Sequence, residues 1–319
     1  MGFNGAVLNG IVSRSASTIQ EHRLLRDGHS TQEQFMKLIQ KDEKQIIKAQ
    51  KNFAFVSAGQ LNWLDLLRPI AYSFSGFEKR NSSGEDSIGP VTRWYATNTF
   101  YRKPNINSKI SCNGNELAEF LPELEKGIAF LLGPYSFARL VQNSFYKNSG
   151  EMLADYSNAL AESIPALKKK GYSSVFFSEP SIGFDLRKKV FDKSLICQEF
   201  AEPIKEKKFS AGINFPLADA SEILHLFNET AFDFLGIDAL YSDFSKIKTE
   251  KDVLLGAVDG ARIGIESIHQ IKETAERFLS EAEFSGNYFL GPNDRLFDVP
   301  FEQGIQKIKV LSDIAGELD

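Results

Sequence analysis

The chain has few of the residues that bind metals or form disulfide bridges. It contains two cysteines and four histidines among 319 residues. No pair of them shows the short spacing that is typical of a zinc site. Cys112 and Cys197 are far apart in the sequence, so a disulfide between them is not indicated and two reduced thiols are the simpler interpretation. The composition therefore predicts neither a metal centre nor a disulfide framework.

Long apolar runs and blocks of one charge are also missing. No apolar run is long enough to cross a bilayer, and the first residues lack the basic region, apolar core and cleavage site of a signal peptide. The formal net charge is −5, and Lys and Arg form no long block, which argues against nucleic acid as the main partner. We therefore expect a cytoplasmic protein that acts neither on membranes nor on nucleic acid.

The chain does contain a regular alternation of short apolar segments and helical patterns. Its hydrophobic content of 42% is enough for a large core. Strands are predicted over residues 6–11, 53–57, 128–132, 175–178, 209–213, 234–237, 253–257 and 288–290. Apolar residues at helical spacing predict helices between most of these strands, including residues 31–51, 151–169, 186–200 and 301–318.

This alternation predicts parallel βα units, and eight such units close into a (β/α)8 TIM barrel of the α/β class. We expect residues 1–319 to form this single barrel. An open doubly wound sheet is the alternative, but no glycine-rich phosphate-binding motif follows the first predicted strand.

One segment interrupts the alternation between the second and third units. Residues 76–113 are polar, contain glycines and prolines, and are predicted to be an insertion. Within them, Gly89–Pro104 (GPVTRWYATNTFYRKP) alternates aromatic residues with threonines, which favours a strand or hairpin. Its cations, interleaved with aromatic rings, suit a cap over a ligand pocket. An edge hairpin with inward-facing rings and solvated cations is the alternative.

Carboxylates follow four of the predicted strands. The active site of a (β/α)8 barrel lies at the C-terminal ends of its strands, so the candidate catalytic residues are Glu179, Asp238, Asp259 and Asp294. Mutual repulsion at one mouth would raise some of their pKa values. For each of them, capping of the next helix is the alternative role. The sequence has no G-x-S-x-G motif, no P-loop and no Ser/His/Asp set at strand ends, so classical nucleophilic catalysis is not supported.

Several segments, in order, resemble the cobalamin-independent methionine synthase family. VTRWYATNTFYRKP resembles T-K-W-x-x-T-N-Y-x-Y-x-x-P, KKGYSSVFFSEPSI resembles R-G-x-x-x-V-Q-I-D-E-P-A-L, and YFLGPNDRLFDVP resembles L-x-x-N-P-D-C-G-L-x-x-x-P. The similarity is collinear from about Phe53 to the last residue. It implies a role in methionine biosynthesis, in which a methyl group moves from a methyl-folate donor to the thiol of homocysteine.

The departures from the family pattern concern the zinc ion that activates this thiol. The family binds zinc through His, Cys, Glu and Cys. At those positions this chain has Asn214, Pro216, Asp238 and Asp294, and the proton-donating His falls near Ala261. The resemblance therefore implies an N-terminal-type barrel that binds no zinc and no other cofactor.

Barrels of this type use cations to hold the polyglutamate tail of the donor. The resemblance assigns substrate binding to Arg93, Trp94, Thr97 and Asn98, and by a weaker alignment to Arg14. We expect a methyltransferase subunit that is inactive alone and pairs with a zinc-bearing C-terminal-type chain. A non-catalytic ligand-binding or regulatory barrel, and a diverged enzyme that uses the strand-end carboxylates, remain as alternatives.

Overall fold

Eight parallel strands form a barrel in the computed structural model, which describes residues 2–63, 65–78, 88–95, 99–112 and 114–318. They pair in the order β2-β1-β8-β7-β6-β5-β4-β3. Their bounds are β1 Phe3–Val7, β2 Phe53–Phe55, β3 Gly127–Leu132, β4 Tyr172–Ser178, β5 Ser210–Asn214, β6 Phe234–Asp238, β7 Asp252–Val258 and β8 Tyr288–Pro292. The predicted (β/α)8 fold is confirmed.

The barrel closes between its two outermost strands, β2 and β3. The Val56 amide donates to the Lys126 carbonyl at 3.0 Å, and the Ile128 amide donates to the Val56 carbonyl at 3.0 Å. Beyond that point, the side-chain carboxamide of Gln60 makes the hydrogen bonds to β3 that the backbone of a longer β2 would make. Its Nε2 donates to the Phe130 carbonyl at 2.9 Å, and its Oε1 accepts from the Phe130 amide. A side chain thus completes the pairing that the three-residue strand β2 is too short to make.

Helices surround the barrel. Their bounds are α1 Ala16–Arg26, α2 Gln32–Ala49, α3 Arg68–Ser73, α4 Glu116–Glu119, α5 Pro134–Leu140, α6 Ser149–Lys169, α7 Pro180–Lys188, α8 Glu202–Glu206, α9 Ile268–Glu281 and α10 Phe301–Leu318. Capping boxes at Thr31 and Ser267 start α2 and α9, because each side chain accepts the backbone amide three residues on. Among the described residues, no helix combines the length and apolar character needed to cross a membrane.

The prediction of a helix over residues 186–200 is wrong in its bounds. The α7 helix begins six residues earlier, at Pro180, and ends at Lys188 because Lys189 adopts the left-handed conformation, with φ of +56°. A 3-10 turn, Lys193–Leu195, follows it. Between β5 and β6 the chain forms two 3-10 turns, Ala220–Glu222 and Leu224–Leu226.

Phenylalanines fill the interior of the barrel. The rings of Phe176 and Phe234 are stacked with centroids 5.2 Å apart, and the Phe130 ring meets Phe176 edge-on. Gly212 lies beside them on β5, where a Cβ atom would come within 2.1 Å of the Phe234 ring. The bulky interior therefore requires a residue without a side chain at this position.

Two small antiparallel pairs lie between β2 and β3. Phe74–Phe77 pairs with Asn105–Cys112, and Val91–Arg93 pairs with Phe100–Arg102 to form a hairpin within the aromatic stretch. The first pair begins at Phe74, two residues before the predicted start of the insertion. The hairpin connection at residues 96–98, which includes the predicted site residues Thr97 and Asn98, lies outside the described residues.

Candidate active site

The hairpin lies over the mouth of the barrel, at the C-terminal ends of the strands. The Tyr95 ring stacks on Phe184 of α7, with centroids 4.2 Å apart, and its hydroxyl donates to Ser181 Oγ. Trp94 is buried, and the guanidinium of Arg295, just after β8, lies 5.8 Å from its ring. Strands β4 and β8, which precede these contacts, are on opposite sides of the barrel. Trp94 and Tyr95 therefore lie above the mouth between them.

Arg93 is exposed on this hairpin. Its guanidinium lies 5.6 Å from the centroid of the Phe100 ring on the paired strand. In the part of the chain that the structure describes, Arg93 forms no ion pair, and its side chain is exposed. Its role in donor binding stays a prediction from the resemblance.

Arg14 lies after β1 and is held by several contacts. Its Nε donates to the Leu61 carbonyl at 2.6 Å, and its guanidinium lies 5.4 Å from the Phe35 ring. Burial lowers its pKa to about 10; Asp42 opposes the shift and Arg68 adds to it. Arg14 and Arg68 thus place two neighbouring cations beside the ends of β1 and β2.

Glu179 is completely buried. From the end of β4 it caps the N-terminus of α5, the helix that follows the neighbouring strand β3. Its Oε1 accepts the Tyr135 amide at 2.9 Å, and its Oε2 accepts the Ser136 amide at 2.7 Å. The N-cap residue of α5 is Gly133, which has no side chain to do this; a Cβ there would lie 2.4 Å from Glu179 Cδ. Burial raises the pKa of Glu179 to about 7, and the hydrogen bonds oppose the shift. Both carboxylate oxygens are therefore occupied by the protein itself.

Asp238 is also buried and saturated with hydrogen bonds. Its Oδ2 accepts the Leu217 amide at 2.8 Å, and its Oδ1 accepts the Leu240 amide and Asn293 Nδ2 at 3.0 and 3.1 Å. Burial raises its pKa to about 6, and Asp294 adds a smaller repulsion. Asp238 organises the loops after β5 and β6 and contacts the segment after β8.

The remaining two carboxylates are closer to solvent. Asp259 Oδ1 accepts the Ala261 and Arg262 amides at 2.9 and 3.2 Å, and its Oδ2 pairs with the Arg262 side chain at 3.2 Å. Asp294 accepts the Arg295 amide at 2.7 Å, and burial raises its pKa. Of the four predicted catalytic residues, three thus act as caps of neighbouring backbone segments, and Asp294 has the least occupied carboxylate.

The residues at the family's zinc positions do not form a zinc site here. Across the described ranges, no three His, Cys, Asp or Glu side chains are close enough to share a metal ion. Asn214 and Pro216 stand where the family has His and Cys, and neither amide nor proline binds zinc as those ligands do. No step through zinc can therefore be assigned to this chain.

Sequence reasoning located Asn214 at a strand end but did not group it with two further strand-end asparagines. Asn9, Asn214 and Asn293 are buried at strand ends and line one small pocket with Asp238. Asn9 was concealed in a strand predicted over residues 6–11, whereas β1 ends at Val7. A polar residue near the end of an apolar segment is the sequence signal that could have indicated a strand-end position for Asn9.

Comparison with known proteins gives one sequence relative and two structures of the same fold. The methionine synthase of Saccharolobus solfataricus is 24% identical over 209 residues, which are 63% of this chain and 60% of that protein. Two solved structures share the fold. A protein from Listeria monocytogenes, assigned as a vitamin-B12 independent methionine synthase, aligns over 100% of this chain and 99% of its own, with a TM-score of 0.71 and 15% identity. A B12-independent methionine synthase from Shewanella sp. W3-18-1, in complex with selenomethionine, aligns over 99% and 96%, with a TM-score of 0.65 and 13% identity.

The family assignment rests on the sequence. The cobalamin-independent synthase N-terminal domain matches residues 80–283, well over half of the chain. This match includes the hairpin and the ends of β3 to β7. The chain therefore belongs to the cobalamin-independent methionine synthase family, as the ordered resemblance of its segments predicted.

Proposed function

We propose that this chain is the donor-holding barrel of a two-chain methionine synthase. In this proposal it binds a methyl-folate-type donor, and a second, zinc-bearing C-terminal-type chain binds homocysteine and completes methyl transfer. Zinc lowers the pKa of a bound thiol, and the thiolate is the nucleophile. This chain would hold the donor in position and exclude water from the mouth of the barrel.

The observation that carries the proposal is a set of exposed apolar side chains in the segments that leave the C-terminal ends of four strands. We call it the apolar rim: Ile19, Val91, Phe100, Leu240, Tyr241, Ile263 and Ile265, each 42–60% exposed. These residues lie in the segments that follow β1, β2, β6 and β7. Exposed apolar side chains gathered on one face of a protein are typical of a surface that another protein covers.

Charge on the same face supports an anionic donor. Arg93 is exposed on the hairpin, and beside the ends of β1 and β2 lie Arg14 and Arg68, the latter also paired with Asp65 at 3.5 Å. Arginine binds carboxylates through two parallel hydrogen bonds, which suits a tail of glutamates. The saturated carboxylates Glu179 and Asp238 would then stabilise the floor of the site.

Reconstitution with a zinc-bearing family member from the same organism tests the proposal. Methionine formation from homocysteine and a methyl-folate polyglutamate is expected with both chains and not with either chain alone. Size-exclusion chromatography should show a complex. Turnover by this chain alone, or no complex and no activity with both chains, would refute the proposal.

Variants of the apolar rim test whether the second chain binds at this surface. Leu240→Glu and Ile263→Glu should each weaken the complex by about ten-fold or more, because they place a charge in a desolvated interface. Leu279→Glu is the matched control, since Leu279 is 42% exposed near the end of α9, outside the rim. Equal effects of all three variants would place the contact elsewhere.

A further inference from the structure

The outward face of α2 carries a row of lysines. Phe35, Ile39 and Ile46 are buried on the opposite side of this helix. The row occupies positions i, i+4, i+7 and i+11, which places its side chains within an arc of about 60° and along about 16 Å of the helix. Its members are Lys37, Lys41, Lys44 and Lys48, all of them exposed. They therefore project straight away from the barrel.

Carboxylates leave most of this charge unbalanced. Lys37 pairs with Glu33 at 2.8 Å. Within the described residues, the other three lysines of the row form no ion pair and no hydrogen bond. Asp42 and Glu43, which lie in the same stretch of α2, are buried on its inner side. Like charges three and four residues apart destabilise a helix, so an anion bound along the row would remove a repulsion that the described chain does not offset.

The row ends beside a groove between α2 and α10. Three exposed lysines line this groove from both helices and from the turn after α2: Lys48, Lys51 and Lys309. Among the described residues, Asp313 is its only acidic lining. The volume of the groove is about 420 Å³. A water molecule takes up about 30 Å³ of the liquid, so the groove has room for several phosphate groups.

A second, more open groove follows the row itself. Its volume is about 530 Å³, and it meets the first groove at Gln45 and Lys48. Its described lining contains the four lysines of the row and no carboxylate. The two grooves thus form one cationic path, which starts between the two helices and continues along the outside of α2.

The choice of lysine over arginine indicates the kind of anion. Arginine suits carboxylates, which it binds through two parallel hydrogen bonds, whereas lysine acts as a point charge and is a common ligand of phosphate. The described lining of both grooves contains no arginine and no aromatic ring. Aromatic rings are the surfaces on which single-stranded nucleic acid stacks its bases.

We propose that this face binds a linear polyphosphate chain. One end of the chain lies between α2 and α10, against Lys48, Lys51 and Lys309, and a longer chain continues along the row. Two sources offer this chemistry, inorganic polyphosphate and the phosphate chain of a nucleoside polyphosphate.

Isothermal titration calorimetry on the purified full chain tests the proposal. Sodium triphosphate is expected to bind at low salt, and added salt should weaken it because the site is exposed. Citrate, a carboxylate with three charges, should bind about ten-fold more weakly or not at all. ATP without magnesium separates the sources. Equal affinity for ATP and triphosphate supports recognition of the phosphate chain alone, and tighter binding of ATP supports a nucleoside polyphosphate.

Variants show whether the heat comes from this face. Lys48→Gln and Lys309→Gln should each weaken triphosphate binding by about five-fold, a modest factor because solvent screens exposed charges. Lys169→Gln is the matched control, since Lys169 is an exposed lysine at the end of α6. Lys41→Gln should weaken binding of a long inorganic polyphosphate and leave triphosphate binding unchanged.

Four results would overturn the proposal: no triphosphate binding, equal binding of citrate and triphosphate, equal effects of Lys48→Gln and Lys169→Gln, or tighter binding to vesicles of anionic phospholipid than to triphosphate. Circular dichroism confirms folding, and the comparison of triphosphate with citrate on the wild-type chain remains decisive if a variant unfolds. The two-chain proposal does not use these lysines, so its reconstitution assay would be unaffected by such a result.

Discussion

The ring of Tyr95 lies flat against the ring of Phe184, with an interplanar angle of 7° and centroids 4.2 Å apart. Tyr95 belongs to the hairpin inserted between β2 and β3, whereas Phe184 belongs to the helix that follows β4. The contact therefore fixes the insertion to the barrel. Burial raises the pKa of Tyr95 well above its ordinary value, so its hydroxyl stays protonated and donates to Ser181.

Loss of this stack should loosen the hairpin. Aromatic pairs contribute about 0.5–1.5 kcal/mol beyond their buried area, so a double-mutant cycle of Tyr95→Ala and Phe184→Ala should give a coupling free energy in that range. Urea unfolding of the four proteins measures it. Tyr95→Phe keeps the ring and is the control for the hydroxyl. Additive single effects would show that the two rings do not stabilise each other.

Glu179→Gln should destabilise the protein. The amide NH₂ of glutamine cannot accept a hydrogen bond, so either the Tyr135 or the Ser136 amide loses its partner, at a cost of about 1–3 kcal/mol. The free energy of unfolding in urea measures the loss.

Asp259→Asn is the control for this effect. Asp259 Oδ1 alone accepts both backbone amides. Within the described residues, Oδ2 pairs only with Arg262, whose side chain is 85% exposed. Asparagine retains the first function, and the exposed ion pair contributes little. Equal losses in the two variants would contradict the capping role of Glu179.

Glu43 should make stability depend on pH. Burial, and secondarily Asp42, raises its pKa from 4.5 to about 7. The folded state therefore binds more protons than the unfolded state between these values, and stability falls as pH rises from 4.5 to about 7. Glu43→Gln should remove this component.

The variant should match the wild type below pH 4.5 and exceed it above pH 7 by on the order of 1 kcal/mol. Thermal unfolding across this pH range measures the difference. A stability difference that does not change with pH would show that Glu43 titrates normally in the folded protein.

Lys307 should hold the loop after β7 in place. Its side chain is fully buried on α10, and its Nζ donates to Glu266 Oε2 at 2.8 Å and to the Gly264 carbonyl. Lys307→Met leaves the carboxylate, which is 20% exposed, without its cation. A loss of about 2–3 kcal/mol is expected, toward the lower end for a broken buried pair.

Limited proteolysis should then cut residues 260–267 faster than in the wild type. The double variant Lys307→Met/Glu266→Gln should recover part of the lost stability, because it removes the unpaired charge. Unchanged cleavage in Lys307→Met would show that other contacts hold the loop.

Arg93→Ala should affect binding and not stability. Arg93 is exposed, and surface substitutions of this kind change stability by less than about 0.5 kcal/mol. Its removal should weaken binding of a methyl-folate with several glutamates by about ten-fold, and added salt should reduce this difference. Calorimetry with monoglutamate and polyglutamate donors measures both.

Arg26→Ala is the matched control, since Arg26 is an exposed arginine at the far end of α1. It should leave donor affinity unchanged. Equal weakening in both variants would indicate a general charge effect and not a site at Arg93.

The sequence predicted the eight strands and their order because buried parallel strands are short apolar segments. Boundaries were less accurate. The first strand was expected at residues 6–11 but runs from Phe3 to Val7, and Gly10 already has a φ of +83°. Helical periodicity extended α7 past Lys189, where a left-handed residue ends the helix. Such ends depend on local backbone geometry that apolar spacing does not report.

The strand-end carboxylates could be located from the sequence, but their contacts could not. Glu179 binds amides 44 and 43 residues away in the chain, and Asp238 binds an asparagine 55 residues away. These pairs meet only when the barrel closes. The close packing of Asn214 against Gly236 and of Asn293 against Gly256 likewise forms only when the strands pair in the barrel.

The sequence by itself determined the (β/α)8 class and the family, because these follow from apolar periodicity and from the ordered set of family motifs. The tertiary structure alone decided which side chains are available for chemistry. Hydrogen bonds between distant segments occupy Glu179 and Asp238, whereas Arg93 and the apolar rim stay exposed. Whether a side chain is free to bind a ligand depends on its contacts with distant parts of the chain, and these contacts form only when the eight strands close into the barrel.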